Sequence, residues 1–180
     1  LNTAYYLDWV HKLNEKGAEL SFNTHFTYYD YKIMQELNNN FVEGESEFIT
    51  EDTFNVSSNQ IINLYSAQTD LTQPLGEHST METGLRYAAI NSEASILQSG
   101  FDQSRDGVDP TESGIFNYDE KIYAGYISLN NSWENWKLNL GLRAEYTDTK
   151  GELNTALEAN INSYMNWFPT MALSYTVDKN

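Results

Sequence analysis

Alternation of apolar and polar residues is the main pattern in this chain, and it is clearest over residues 136–152, WKLNLGLRAEYTDTKGE. Apolar or aromatic side chains stand at every second position, with polar, charged or glycine residues between them. A period of two over this length predicts an extended strand with one apolar face and one polar face. The apolar positions are Trp136, Leu138, Leu140, Leu142, Ala144 and Tyr146.

Several other segments alternate in the same way, and together they predict an all-β chain with an antiparallel meander of about seven strands. The segment AELSFNTHFTYYDYK is longer than the five or six residues usual for a globular strand. The corresponding faces of the other segments comprise Tyr5, Leu7, Trp9 and Leu13; Leu20, Phe22, Thr24, Phe26 and Tyr28; Tyr65, Ala67, Thr69 and Leu71; and Met81, Thr83, Leu85, Tyr87 and Ala89.

The connections between these segments alternate between short and long. In an antiparallel meander, this order puts the tight turns at one end of the sheet and the long loops at the other, as in outer-membrane barrels. The pattern therefore favours a partial transmembrane β-barrel. The alternative is a soluble or cell-surface β-sheet binding module whose apolar face forms a core. The long connections are predicted over residues 33–58, 96–116 and 147–164.

Composition narrows the classes of function. The chain has 26 acidic and 10 basic residues and a net charge of −16, so it lacks the clustered cations that bind nucleic acid. It has no cysteine, which excludes disulfides and thiol chemistry. No apolar run is long enough for a transmembrane helix, but membrane-spanning strands leave a much weaker hydropathy signal.

Residues for catalysis or metal binding form no recognisable motif. The three histidines, His11, His25 and His78, do not occur in an HxH or HExxH spacing, so zinc is not supported. There is no GxSxG elbow or glycine-rich phosphate loop. We expect no enzyme activity, no cofactor and no metal ligand, and the ligand-binding residues stay unknown.

Acidic residues are concentrated in two of the predicted long connections. Clustered carboxylates can bind Ca²⁺, but these do not have the EF-hand spacing, so we predict solvated loops and leave calcium binding open. The acidic residues are Glu36, Glu43, Glu45, Glu47, Glu51 and Asp52 in the first connection, and Asp102, Asp106, Asp109 and Glu112 in the second.

Three charged residues, Arg86, Arg143 and Glu145, fall on predicted polar faces, where we expect charge pairs that brace the wall of a wet lumen rather than contact a plug. Aromatic residues near strand ends are predicted to form interfacial girdles rather than to stack on a ligand. Pro169 is predicted at a strand entrance or a bulge, because it lacks an N–H for the ladder. The aromatic residues are Tyr29, Tyr31, Tyr118, Tyr123, Trp133, Trp136 and Trp167.

The run YAGYISLNNSWENWKLNLGLRAEYTDTKG, followed after a gap by NWFPTMALSYTV, resembles the β-barrel part of TonB-dependent outer-membrane receptors. It is most similar to the branch with a carboxypeptidase-regulatory-like N-terminal domain. The upstream run INLYSAQTDLTQPLGEHSTMETGLRYA resembles the preceding hairpin. The similar stretches cover most of residues 60–177, whereas residues 1–59 agree in pattern only.

The resemblance implies a barrel of about 22 strands with a plug inside it. Residues 1–180 would then be a fragment of that barrel, without the plug and without the barrel C-terminus. It also implies location in the cell outer membrane and uptake of an external ligand: a siderophore, vitamin, glycan or peptide. The expected partners are outer-membrane lipid and, through a missing N-terminal part, the TonB complex.

Overall fold

The computed structural model describes residues 1–42, 49–100, 113–156 and 158–177. Every regular secondary-structure element in these residues is a β-strand, and there are seven of them. The prediction of an all-β chain with seven strands is therefore confirmed. The strands are β1 (Asn2–Lys12), β2 (Glu19–Val42), β3 (Ile49–Pro74), β4 (Ser79–Gly100), β5 (Gly114–Trp133), β6 (Trp136–Leu153) and β7 (Asn160–Tyr175).

The strands form one antiparallel sheet in sequence order, each bonded to the next. The predicted meander is therefore confirmed. Over the described residues β1 and β7 do not pair with each other, so the sheet is open and has two edges. A free edge cannot lie in lipid, because lipid offers no partner for its N–H and C=O groups. The seven strands are consistent with part of a larger barrel.

The registers bring the predicted apolar positions onto one side of the sheet, which we call the outer face. One row across it joins Tyr5, Phe26, Tyr65 and Ala89 on β1 to β4. The opposite side is the inner face, and it carries the predicted polar positions. The strand faces predicted from the period of two are confirmed.

The sheet is a single layer and has no apolar core. The only buried apolar residues among those described are small: Ala18, Ala89 and Ala124. Large outer-face side chains stay exposed, as shown by Leu85 at 66% and Ile127 at 49%. A soluble module would bury this area, since the hydrophobic effect favours it. The alternative of a soluble sheet with its apolar face as a core is therefore wrong for the described residues.

The β1–β2 turn follows directly from its sequence. The Asn14 side-chain Oδ1 accepts hydrogen bonds from the backbone N–H groups of Lys16, at 2.9 Å, and Ala18, at 3.1 Å. Gly17 has φ of +91°, which costs glycine little because it has no Cβ. This turn and the two other short turns lie at the same end of the sheet, which we call the turn end.

At the other end, the loop end, the predicted bounds of the long connections are wrong. The strands β2 and β3 are 24 and 26 residues long and pair as far as Val42 and Ile49, within the predicted connection 33–58. In the other two connections, β4 reaches Gly100 and β6 reaches Leu153. Backbone hydrogen bonds between neighbouring strands stabilise these extensions and do not depend on the type of side chain. The strands therefore continue beyond the point where the apolar alternation ends.

Pro169 lies within β7 opposite Leu142, so its prediction at a strand entrance or bulge is wrong. In the described sheet β7 has a neighbour on one side only. A proline has no N–H, so Pro169 removes one ladder hydrogen-bond donor from whichever side of β7 its nitrogen faces.

Candidate functional site

The outer face carries an apolar band with aromatic residues at both of its borders. On β6 the band runs from Trp136 near the turn to Tyr146, and these ten residue steps span about 33 Å along the strand. A tilt of roughly 40° shortens this distance to about 25 Å along the membrane normal, the height of the apolar band of outer-membrane barrels.

The border toward the loop end is a row of aromatic rings that we call the loop-side girdle. Ring centroids lie 4.9 Å apart for Phe26 and Tyr65, 5.1 Å for Tyr87 and Tyr123, and 6.4 Å for Tyr123 and Tyr146. Aromatic rings with a polar tip suit the boundary between lipid tails and headgroups. The girdle predicted for Tyr123 has this geometry.

The border toward the turns is the turn-side girdle, which contains Trp9, Trp133, Trp136 and Tyr175. The centroids of Trp136 and Tyr175 are 4.8 Å apart, and Trp133 pairs with Trp136 across the β5–β6 turn. The predicted girdle role of Trp133 and Trp136 fits this position. Trp167 lies opposite Ala144, just below the loop-side girdle, and is 59% exposed.

Beyond the loop-side girdle the outer face becomes polar. Lys121 lies opposite Asp148, and Asp119 lies opposite Lys150. The Lys150 ammonium donates a hydrogen bond to Glu152 at 2.7 Å, and this contact raises the pKa of Lys150. Charged side chains on the outer face indicate that water or headgroups, rather than lipid tails, surround the strands here.

The inner face changes in the opposite sense at the same height. Leu64 lies opposite Ile90, Ala88 lies opposite Ile122, and Ile62 is two residues from Leu64 on the same face. We call these five residues, all of them partly exposed, the inner apolar patch. The sequence analysis did not predict this patch. Its signal in the sequence is that the apolar residues change from one set of alternate positions to the other at the girdle.

Within the band, the inner face is polar and hydrogen bonded. The Tyr126 hydroxyl donates to the Asp70 carboxylate at 2.5 Å, and Gln68 Nε2 donates to the same carboxylate at 2.9 Å. Tyr126 on β5 reaches β3 by passing over Gly84 on β4. A Cβ built on Gly84 would lie 2.5 Å from the Tyr126 ring and 2.8 Å from the Thr69 carbonyl oxygen. We call Tyr126, Gly84 and Asp70 the tyrosine–glycine joint.

The two arginines among the described residues differ in their partners. Arg143 Nε donates to Glu145 Oε1 at 2.5 Å, which agrees with the predicted bracing of the wall. The ion pairs of the described residues are this one and Lys150–Glu152, so Arg86 has no carboxylate partner there. Arg86 is exposed on the inner face, and the charge pair predicted for it does not form among the described residues.

Other predicted residues divide between the two faces. His25 lies on the inner face, stacks on Tyr6 at 4.4 Å and shares a hydrogen bond with Thr27. Tyr29, Tyr31 and Tyr118 also lie on the inner face beyond the band, so their prediction as girdle residues is wrong. Burial, followed by a hydrogen bond to Glu120, raises the pKa of Tyr118.

Most of the predicted acidic cluster lies outside the described residues: Glu43, Glu45, Glu47, Asp102, Asp106, Asp109 and Glu112. Glu36 lies on β2, and Glu51 and Asp52 lie on β3. Across the part of the chain that the structure describes, no three His, Asp or Glu residues are grouped as they would be around a metal ion. No helix found within the described ranges has the length and apolar character needed to cross a membrane.

A groove with a volume of about 690 Å³ lies on the outer face. Tyr87, Tyr123 and Tyr146 stand around the small residues Gly125 and Ala144 there. Because it opens toward the lipid side of the band, this groove accommodates lipid tails and is not a ligand site of the lumen.

An open antiparallel sheet with a lipid-height apolar band, two aromatic girdles and a polar inner wall defines a class: the wall of an outer-membrane β-barrel. The chain matches the model of the Outer membrane protein beta-barrel family over residues 11–180 and belongs to that family. It is therefore an outer-membrane protein. No curated protein matches the sequence significantly.

Proposed function

We propose that the chain forms part of the barrel wall of a TonB-dependent transporter that takes up an external ligand. The supporting observation is the wall itself, which is lipid-facing outside, hydrogen bonded inside, and extended far beyond the membrane at the loop end. About 9–11 residues of strand cross a bilayer, whereas β3 has 26. By the general rule for these barrels, the loop end is extracellular.

The openness of the sheet supports a large barrel. Seven strands with two free edges need further strands to close, and barrels of about 22 strands are wide enough for a plugged lumen. The sequence resemblance to TonB-dependent receptors adds the energy source and the partners: the TonB complex inside and a siderophore, vitamin, glycan or peptide outside. The role is transport, with no catalytic step.

Uptake by cells tests this proposal. Deletion of the gene should abolish accumulation of one ligand in a panel of ferric siderophores, cobalamin, oligosaccharides and peptides. Complementation should restore that accumulation, and a protonophore or loss of TonB should block it. Accumulation that persists without TonB and without a proton gradient would instead identify a passive pore.

A second measurement tests the barrel independently of the ligand. Folded barrels resist detergent and migrate differently on a gel before and after heating. The full-length protein should fractionate with the outer membrane and show this heat-dependent shift. A protein that dissolves from the envelope without detergent would contradict the proposed barrel.

A further inference from the structure

The inner apolar patch is an unusual surface for the mouth of a water-filled barrel. Its five residues lie beyond the loop-side girdle, where the outer face already carries Lys121, Asp119 and Asp148. All five side chains are partly exposed, so an apolar chain laid across them would remove apolar area from water, which is favourable.

Arg86 stands at the membrane side of this patch. It is two residues from Ala88 on the same face of β4, and it precedes Tyr87 of the loop-side girdle. Its neighbours across the sheet are Gln68, which is engaged with Asp70, and Ala124, which is 7% exposed and carries no charge. The guanidinium is thus open to the lumen and unpaired among the described residues.

The acids near this surface already point elsewhere or have partners. Asp70 accepts from Tyr126 and Gln68, and Glu145 accepts from Arg143. Glu120, opposite Ile90, accepts a hydrogen bond at 3.1 Å from Tyr118, which lies further toward the loop end. An arginine is suited to a carboxylate, because its planar fork can donate two parallel hydrogen bonds.

We propose that this wall binds an amphiphilic carboxylate, whose apolar chain lies on the inner apolar patch and whose acid group pairs with Arg86. The inference rests on the proposed uptake function and names its ligand class. Four residue steps, about 13 Å, separate Arg86 from Ile90, so a medium-chain carboxylate spans both. A molecule that enters from outside meets the patch first and the guanidinium next.

Binding of decanoate and of its uncharged analogue decan-1-ol tests the pairing. Full-length protein is transferred from detergent to amphipol, and radiolabelled decanoate or decan-1-ol is measured by equilibrium dialysis. Arg86→Gln should weaken decanoate binding about fivefold, as expected for a partly exposed ion pair, and should leave decan-1-ol unchanged. Arg86→Lys should retain most of the preference for decanoate.

Two further variants distinguish the contribution of the inner apolar patch to binding from a general effect of positive charge on the inner face. Ile122→Asn should weaken both probes, because it places an amide in the patch. Lys137→Gln removes a cation from the inner face near the turn end and should change neither probe. The heat-dependent gel shift is measured for every variant, so that a loss of binding is compared only among folded proteins.

The proposal is overturned if wild-type protein binds both probes equally, if Arg86→Gln leaves decanoate binding unchanged, or if Lys137→Gln weakens decanoate binding as much. These outcomes are distinct from a failure of transport. Energised uptake of a ligand without decanoate binding would overturn this inference and leave the proposed function in place. Specific decanoate binding without energised uptake would support this inference and overturn the proposed transport function.

Discussion

The two halves of each strand present opposite chemistry to the same side of the sheet. On the turn side of the loop-side girdle, Ile127 and Leu142 point outward and Tyr126 and Arg143 point inward. On the loop side of it, Lys121 points outward and Ile122 points inward. The period of two continues without a break, so what changes is the chemistry of each face: charged side chains replace apolar ones outside, and partly exposed apolar side chains replace polar ones inside.

Introducing a charge on the outer face should give the largest difference in stability between the two halves of a strand. Ile127→Arg puts a guanidinium near the middle of the apolar band and should destabilise the folded barrel by about 2–4 kcal/mol. Asn117→Arg, on the outer face of the same strand beyond the girdle, should change stability by less than about 0.5 kcal/mol. Urea unfolding of the full-length protein in lipid vesicles measures both, and equal effects would contradict the assigned band.

The tyrosine–glycine joint should show the next largest effect. Gly84→Ala places a methyl group against the Tyr126 ring and the Thr69 carbonyl, and overpacking of this kind costs about 1–3 kcal/mol. Gly125→Ala is the matched control, because its Cβ would meet Leu85 Cδ2 at 3.4 Å and the Gly84 carbonyl oxygen at 4.0 Å, both ordinary van der Waals distances. A stability loss for Gly125→Ala as large as that for Gly84→Ala would show that the joint is not special.

Loss of the Tyr126 hydroxyl from the tyrosine–glycine joint should destabilise the folded barrel less than Gly84→Ala does. Tyr126→Phe keeps the ring over Gly84 but removes the donor to Asp70, which keeps Gln68 as a partner. We expect a loss of about 0.5–1.5 kcal/mol, the net contribution of a typical intramolecular hydrogen bond. Tyr123→Phe, in the loop-side girdle, should cost less. If Tyr126→Phe is neutral, the ring alone holds the joint.

Sequence alone predicted the strand number, the order and the outer face, because all three depend on a period of two. It could not predict the joint, since Asp70, Gly84 and Tyr126 become neighbours only through the registers of three strands. The extended parts of β2 and β3 were missed because their polar residues resemble a loop once apolar alternation fades. The inner apolar patch is not evident from one set of alternate positions, because beyond the girdle the apolar residues stand at the other set, on the inner face.

The different roles of the two arginines were within reach of the sequence. Both occur in the tripeptide Gly-Leu-Arg, but the residue two positions later, on the same face, is Ala88 after Arg86 and Glu145 after Arg143. A same-face neighbour at two residues is the nearest partner along a strand. That spacing predicts the pair of Arg143 with Glu145, whereas the lack of a carboxylate beside Arg86 also depends on its cross-strand neighbours, Gln68 and Ala124, which only the register shows.

Substitution of these two arginines should have the smallest effects on stability, and the two effects should differ. Arg143→Gln breaks the pair with Glu145, whose side chains are 31% and 23% exposed, so the loss should stay below about 1 kcal/mol and shrink in high salt. Arg86→Gln breaks no pair and should cost no stability. A double-mutant cycle of Arg143→Gln with Glu145→Gln isolates the coupling, and urea unfolding at low and high salt measures it. Coupling that does not respond to salt would mean that the pair is shielded from the lumen, against the wet inner wall. A stability loss for Arg86→Gln as large as that for Arg143→Gln would mean that Arg86 already has a partner, and the inner apolar patch would then have no free cation beside it.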